Sequence, residues 1–200
     1  MSPTDPLSPL AVVDDGDLAR LHARLVADAA AHGVLDIGYR TLETPLGTLL
    51  LAATEKGLLR VAFAREGHDA VLAALAARVS PRILHAPARL DAAAREIDDY
   101  LAGRIRAFDL PVDLRLATGF RREVLDHLPE IPYGRTASYT QVAAAAGRPR
   151  AVRAVGTACA TNPLPLVLPC HRVLRSDGSL GGYLGGPEAK KLLLDLERAA

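Results

Sequence analysis

The sequence has little cysteine: two residues in 200, Cys159 and Cys170, with none before position 159. That is too few for a disulfide framework and fits a reduced, cytoplasmic setting. It also removes the softest ligands from any structural zinc site. Residues 1–115 hold no cysteine, and His22, His32, His68 and His85 are scattered without ligand spacing, so no metal is expected. No apolar run reaches the length that spans a bilayer. Met1 to Pro9 lacks the basic start and apolar core of a secretory signal, so no membrane partner is expected. A general excess of basic residues is absent too, the formal net charge being +1. The run Gly181-Gly-Tyr-Leu-Gly-Gly186 has neither the preceding Val/Ile-rich strand nor the following Lys-Ser/Thr of a phosphate-cradling loop, which excludes nucleotide binding and leaves no small-molecule cofactor.

What is present suffices for a core: half the residues are hydrophobic, and 200 residues suit one compact unit or two small domains. Charge is unevenly spread. Residues 1–115 hold 13 Lys+Arg against 16 Asp+Glu, and residues 116–200 hold 11 against 7. Phosphate binding is electrostatic, so the C-terminal part is the better nucleic-acid-facing candidate. A solvated charged face would produce the same imbalance.

Met1 to Val13 carries Pro, Ser and Asp and is expected to be loosely ordered. Asp14 to Gly33 reads as an amphipathic helix with Leu18, Leu21, His22, Leu25 and Ala29 on one face and Gly33 as its stop. Ile37 to Phe63 predicts a β-meander broken at Pro45-Leu-Gly47 and Glu55-Lys-Gly57. Helices are predicted over Asp69 to Val79 and Leu90 to Ala102, followed by an extended return at Asp109 to Val112. Thr118 to Leu128 predicts another helix, and Ile131-Pro-Tyr-Gly134 a turn. Ser138-Tyr-Thr-Gln141 has the capping-box pattern that opens a short helix. Gly147 breaks it, and Pro149 suits the first turn of a second helix, Arg150 to Thr161. Two short helices around such a turn make a helix-turn-helix pattern, which taken alone reads first as plain helical hairpin packing. The second is rich in small residues, Ala151, Ala154 and Gly156 among them, and carries Arg150 and Arg153. Pro187 starts a last helix, Glu188 to Arg198, with Leu192, Leu193 and Leu196 expected inward.

The densest chemistry lies in Asn162-Pro-Leu-Pro-Leu-Val-Leu-Pro-Cys-His-Arg-Val173. Its prolines fix φ and push their predecessors toward extended geometry, which predicts a stiff, buried, extended segment. A thiol needs a neighbouring base or cation to act as a nucleophile. His171 is adjacent, but neighbours on an extended strand face opposite ways, so a bent backbone or a bridging water would have to connect them. From the residues alone, Cys170 also fits a small core side chain. Cys159 reads as a core-facing helix residue.

Taken together, Ile131-Pro-Tyr-Gly134, Ser138-Tyr139, Arg153-Ala-Val-Gly156, Asn162-Pro163, Pro169-Cys-His-Arg-Val173, Gly182-Tyr183 and Glu197, in this order and spacing, closely resemble the O6-alkylguanine-DNA alkyltransferases. The resemblance covers Thr118 to Glu197 strongly and Ile37 to Leu110 more weakly. It implies an α+β chain: a 1–36 extension with one amphipathic helix, and a 37–115 domain with a small three-stranded antiparallel sheet and helices. A 116–200 winged-helix-like domain with a helix-turn-helix would bind DNA and accept the alkyl group. The partner implied is double-stranded DNA carrying O6-alkylguanine, with the protein a monomer. Cys170 would be the acceptor, His171 its base through water, Glu197 the residue orienting His171, Asn162 a brace of the turn, and Tyr139 the phenol that aids nucleotide rotation. Arg153 would fill the gap left by the extruded nucleotide, with Arg150, Ala151, Ala154 and Gly156 along the DNA, while Val173, Tyr183 and Leu184 would frame the base. Arg175 and the Arg121-Arg122 pair are further candidates for phosphate contact. A thioether product that no residue here would cleave implies one transfer per molecule. A cysteine hydrolase and a non-repairing sensor of alkylated DNA are the alternatives. The sensors among the relatives lack the acceptor cysteine, and the leading 36 residues are too few for an added domain, so a stand-alone repair protein is expected.

Overall fold

Two short turns set the architecture of the N-terminal part, because each reverses an apolar strand against the one before it. β1 (Ile37–Leu42), β2 (Leu49–Thr54) and β3 (Gly57–Phe63) pair antiparallel in sequence order. The computed structural model describes residues 14–199; the leading segment expected to be loose lies outside the described residues. The chain divides into two compact units, one ending at Leu35 and the other beginning at Asp36. The first contains α1 (Asp15–Ala31), capped by the Asp14 carboxylate, which accepts from the Asp17 amide at 2.6 Å. Leu18, Leu21 and Leu25 on this helix are exposed.

In the second unit the sheet has four strands rather than the three expected, in the order β3-β2-β1-β4. β4 (Ile83–His85) follows α2 (His68–Arg78) and pairs parallel to β1. It is only three residues long, lies at an edge and is incompletely buried, so it carries no alternating pattern to reveal it. β2 is buried along its whole length because both faces of the sheet are covered. Leu49, Leu51 and Ala53 face the main core, while Ala52 joins a smaller cluster with Ile37, Leu59 and Leu75, the two-residue alternation of a strand.

α3 (Asp91–Leu101) turns Ala93, Ala94, Ile97 and Tyr100 inward at helical spacing. These side chains share one core with α4 (Phe120–His127), whose Val124 and Leu125 are buried, and with Val155, Leu164, Cys170, Val173 and Leu193 further on. The main core is therefore continuous from the sheet to the C-terminal helices. Ser138 and Gln141 form the expected capping box at the start of α5 (Tyr139–Ala145). α6 spans Val152–Ala160, starting later than Pro149 suggests. Arg148 and Ala151 donate their amides into the preceding turn, and the first helical bond runs from the Val155 amide to the Ala151 carbonyl. Arg150 thus precedes the helix that carries Arg153. β5 (Ala137–Ser138) and β6 (Val173–Leu174) form a short parallel pair that ties the turn before α5 to the segment just after Cys170. In α7 (Gly186–Ala199) the inward residues are Ala189, Lys190, Leu193, Leu194 and Glu197. Leu192, expected inward, is exposed, because a 3.6-residue period that places Leu193 and Glu197 inside turns position 192 outward.

Candidate active site

The segment 162–169 is buried, as its composition predicts, but it is not extended. It doubles back, with the Leu168 amide bonded to the Leu164 carbonyl at 2.8 Å and Leu166 held at φ 78°. A bulky residue at positive φ costs about 1–3 kcal/mol and persists only where its surroundings enforce it. Asn162, fully buried, supplies that enforcement. Its Oδ1 accepts from the Leu164 amide at 2.9 Å, and its Nδ2 donates to the Leu168 carbonyl at 2.9 Å and to Cys170 Sγ at 3.2 Å. One amide side chain therefore closes the turn and contacts the sulfur.

Cys170 opens a single turn of 3-10 helix, Cys170–Arg172, so the backbone bends where the extended reading had placed the two side chains on opposite sides. Burial pushes the Cys170 thiol up to about 11, partly offset by the Asn162 donor and the charge of Lys190. His171 is fully buried, and burial also lowers its pKa, against the pull of Glu197. Its Nε2 meets Glu197 Oε1 at 2.5 Å, which leaves Nδ1 as the ring nitrogen without a protein partner.

Glu197 is the hub. Besides His171 it accepts from Arg172 Nε at 3.0 Å, from the Gly134 amide at 3.0 Å and from the hydroxyl of Tyr100. Burial would raise its pKa, but these partners overcome it and hold the carboxyl down at about 2. Gly134 has φ 71°, and a Cβ there would lie 2.9 Å from the Glu197 carbonyl oxygen, so glycine is what lets this amide reach the carboxylate. Because the folded pKa lies below that of a free carboxyl, the stabilisation from this group is complete above about pH 4.5 and is lost as pH falls toward 2. The difference corresponds to about 3 kcal/mol. Denaturant melts at pH 7 and pH 2.5 should show that loss in the wild type, and a smaller one in Glu197→Gln.

Of the residues expected at the site, Cys170, His171, Asn162, Glu197 and Val173 are gathered in this buried cluster. Tyr183 joins them, its ring edge-on to His171 at 6.2 Å. Tyr139, at the start of α5, is partly buried, and burial together with the charges that Cys159 and Cys170 would carry as thiolates disfavours its ionisation. A Cβ on Gly181 would collide with the Tyr139 hydroxyl, so that loop approaches closely because it lacks a side chain there. Leu184 lines a cavity of about 410 Å³ together with Arg60, Val71 and Asn162. Arg153 and Ala154 lie on the exposed face of α6, whose other face, Val155, Ala158 and Cys159, is in the core. Arg150 is exposed in the preceding turn, Ala151 caps the helix, and Gly156 is half-buried. Arg122 is engaged by Asp126, and Arg121 by the Leu116 carbonyl.

Sequence reasoning missed Tyr100, Arg172 and Lys190. Arg172 stands within the quoted Pro-Cys-His-Arg motif; its Nη1 donates to the Ile131 carbonyl at 2.6 Å. Lys190 is fully buried and donates to the Val173 carbonyl at 2.6 Å. A lysine on the inward stripe of α7 was the available signal. Tyr100 gave none beyond an aromatic at a core position. Among the described residues no group of three or more His, Cys, Asp or Glu is arranged to hold a metal ion, and no helix is long and apolar enough to cross a membrane.

The arrangement sets a buried thiol one residue from an imidazole whose Nε2 rests on a carboxylate and whose Nδ1 has no protein partner. Residues 37–114 match the family model described as 6-O-methylguanine DNA methyltransferase, ribonuclease-like domain, and residues 119–199 match the one described as 6-O-methylguanine DNA methyltransferase, DNA binding domain. The methylated-DNA–protein-cysteine methyltransferase of Methanosarcina barkeri is 38% identical over 159 residues, covering 80% of this chain and 96% of its own. That of Mycobacterium tuberculosis is 38% identical over 169 residues, covering 82% and 93%. The crystal structure of Mycobacterium tuberculosis OGT in complex with DNA is similar with a TM-score of 0.70 at 35% identity, over 81% of this chain and 93% of that one. The chain belongs to the methylated-DNA–protein-cysteine methyltransferase family.

Proposed function

We propose that this protein repairs DNA by direct reversal, moving the alkyl group of O6-alkylguanine in duplex DNA to its own Cys170 once per molecule. The observation that carries the reading is the buried chain of contacts from Asn162 to Cys170 and from His171 to Glu197. A thiol held at about 11 is ionised to only about one part in ten thousand at pH 7. The thiolate must therefore be made during the reaction. His171 Nδ1 takes the thiol proton through water, and Glu197 stabilises the imidazolium that results. The sulfur attacks the alkyl carbon, the carbon–O6 bond breaks with its electron pair going to guanine, and the phenol of Tyr139 donates toward the departing base. The product is a thioether and an unmodified guanine.

A guanine within the duplex cannot present its alkyl carbon to a buried sulfur, so it is flipped out, at about a few kcal/mol. α5 and α6 act as a helix-turn-helix. The exposed face of α6, with Arg153, Ala154 and Gly156, enters the minor groove, approached by Arg150 and Ala151, and Arg153 fills the vacated stack. The degenerate code of that groove suits a protein that must bind any sequence. Val173, Tyr183 and the backbone of Leu184 frame the flipped base. Residues 37–115 form a supporting domain, residues 116–200 the reacting one and residues 1–36 an extension, and the protein works as a cytoplasmic monomer. Arg153→Ala should slow repair of an O6-methylguanine duplex by about tenfold to a hundredfold, the rate equivalent of losing a wedge that offsets part of the flipping cost. Single-turnover assays should show a much smaller change for the free O6-alkylguanine base. Equal losses on both would argue against the flipping role.

A further inference from the structure

We propose that Tyr100, on α3, is a positioning residue of the alkyl-transfer centre, setting how strongly Glu197 supports His171. The inference rests on the alkyl-transfer reading above and extends it to the N-terminal part of the chain, where the sequence showed no catalytic cluster.

Three observations carry it. The Tyr100 hydroxyl donates to Glu197 Oε1, the same oxygen that accepts from His171 Nε2. The hydroxyl also lies 3.4 Å from His171 Nε2, so all three groups converge on one point. The ring is fully buried and fixed from two sides, stacked on Phe108 at 4.8 Å and edge-on to Tyr133 at 5.8 Å. A core tyrosine that needed only a partner for its hydroxyl could use any carbonyl. Here it meets the one carboxylate that bears on the reacting histidine.

A carboxylate shared between a phenol and an imidazole gives less negative charge to each. With the phenol in place, the imidazolium is less stabilised, and His171 stays neutral, with Nδ1 free to accept a proton, to lower pH. Removing the hydroxyl returns that charge to His171, which then protonates at higher pH and is lost as a base sooner on acidification. The other titratable and charged groups bearing on this cluster are Cys170, Arg172, Lys190, Tyr133, Tyr183, Arg106 and Glu66, and all stay unchanged in the variants below.

The test is the pH dependence of the single-turnover rate on a saturating O6-methylguanine duplex, followed by intact mass. Tyr100→Phe keeps the ring, and its acid limb should move up by about one pH unit. Replacing Tyr100 with a ring-fluorinated tyrosine makes the phenol a stronger donor without disturbing the packing. Its acid limb should move the other way, to lower pH, and this holds even if Tyr100→Phe folds poorly. Wild-type limbs in both proteins, or a shift of the same sign in both, would overturn the inference while leaving alkyl transfer intact. A wild-type protein that gains no mass would remove the reading on which the inference rests, and the inference with it.

Discussion

Cys170→Ala leaves a folded protein that binds duplex DNA with wild-type affinity and takes up no alkyl group. Cys170 is 2% exposed and its sulfur's polar contact is the Asn162 donor, so removing the sulfur leaves a small cavity costing about 1 kcal/mol. The α6 residues assigned to DNA, Arg153 and Ala154, are exposed, whereas Cys170 is buried. The loss of transfer is complete, because Cys159, the other free thiol, is buried on α6 and burial pushes its pKa up still further. Cys170→Ser is the stricter version. Its hydroxyl still accepts from Asn162, so the turn survives, but an alcohol is far harder to ionise than a thiol. Mass measurement after incubation with an O6-methylguanine duplex, alongside a binding isotherm on undamaged duplex, reads both halves of the expectation. Residual methylation of either variant would move the acceptor away from Cys170.

Glu197→Ala has the largest expected effect on stability. The carboxylate accepts from His171, Arg172, Tyr100 and the Gly134 amide, and it is 3% exposed. Arg172 is 6% exposed and would keep its charge with only the Ile131 carbonyl and the Tyr133 ring face at 5.7 Å. Breaking a buried ion pair from one side costs about 3–5 kcal/mol. In a chain of this size that lowers the melting temperature by about 6–20 °C. The same substitution frees His171 to adopt either tautomer and withdraws the charge that stabilises its imidazolium, so transfer slows as well. Calorimetry on Glu197→Ala and Glu197→Gln separates the two roles. The glutamine variant keeps the shape and some acceptor capacity, so it should recover part of the stability and little of the rate. Full recovery of both would mean that the charge itself is dispensable.

The contrast between Glu197 and Tyr100 shows what the sequence could disclose. Glu197 was legible because it sits at a fixed distance after Pro169-Cys-His-Arg in a family pattern. Beyond His171 its partners were not, since a buried tyrosine on α3 and the Gly134 amide meet it only through the tertiary fold. Local chemistry was read well wherever it was self-contained. The Ser138/Gln141 box, the meander turns and the helix read over Leu90 to Ala102 each depend on residues within one or two turns of one another. β4 and the start of α6 were misread because their geometry is decided by distant partners: β4 exists only as an edge partner of β1, and the chain around Pro149 is held in a turn by bonds back to α5. The 162–169 segment teaches the same lesson. Three prolines suggested a straight rod, and a single asparagine side chain folds it back on itself.

The most direct measurement counts methyl groups. Reduced wild-type protein is titrated with a duplex containing one O6-methylguanine, and the intact mass and the modified peptide are determined. Methyl uptake should stop at one per molecule, confined to Cys170, however much damaged DNA is added. Continued turnover, a methyl group at any other residue, or no gain in mass at all would contradict the account.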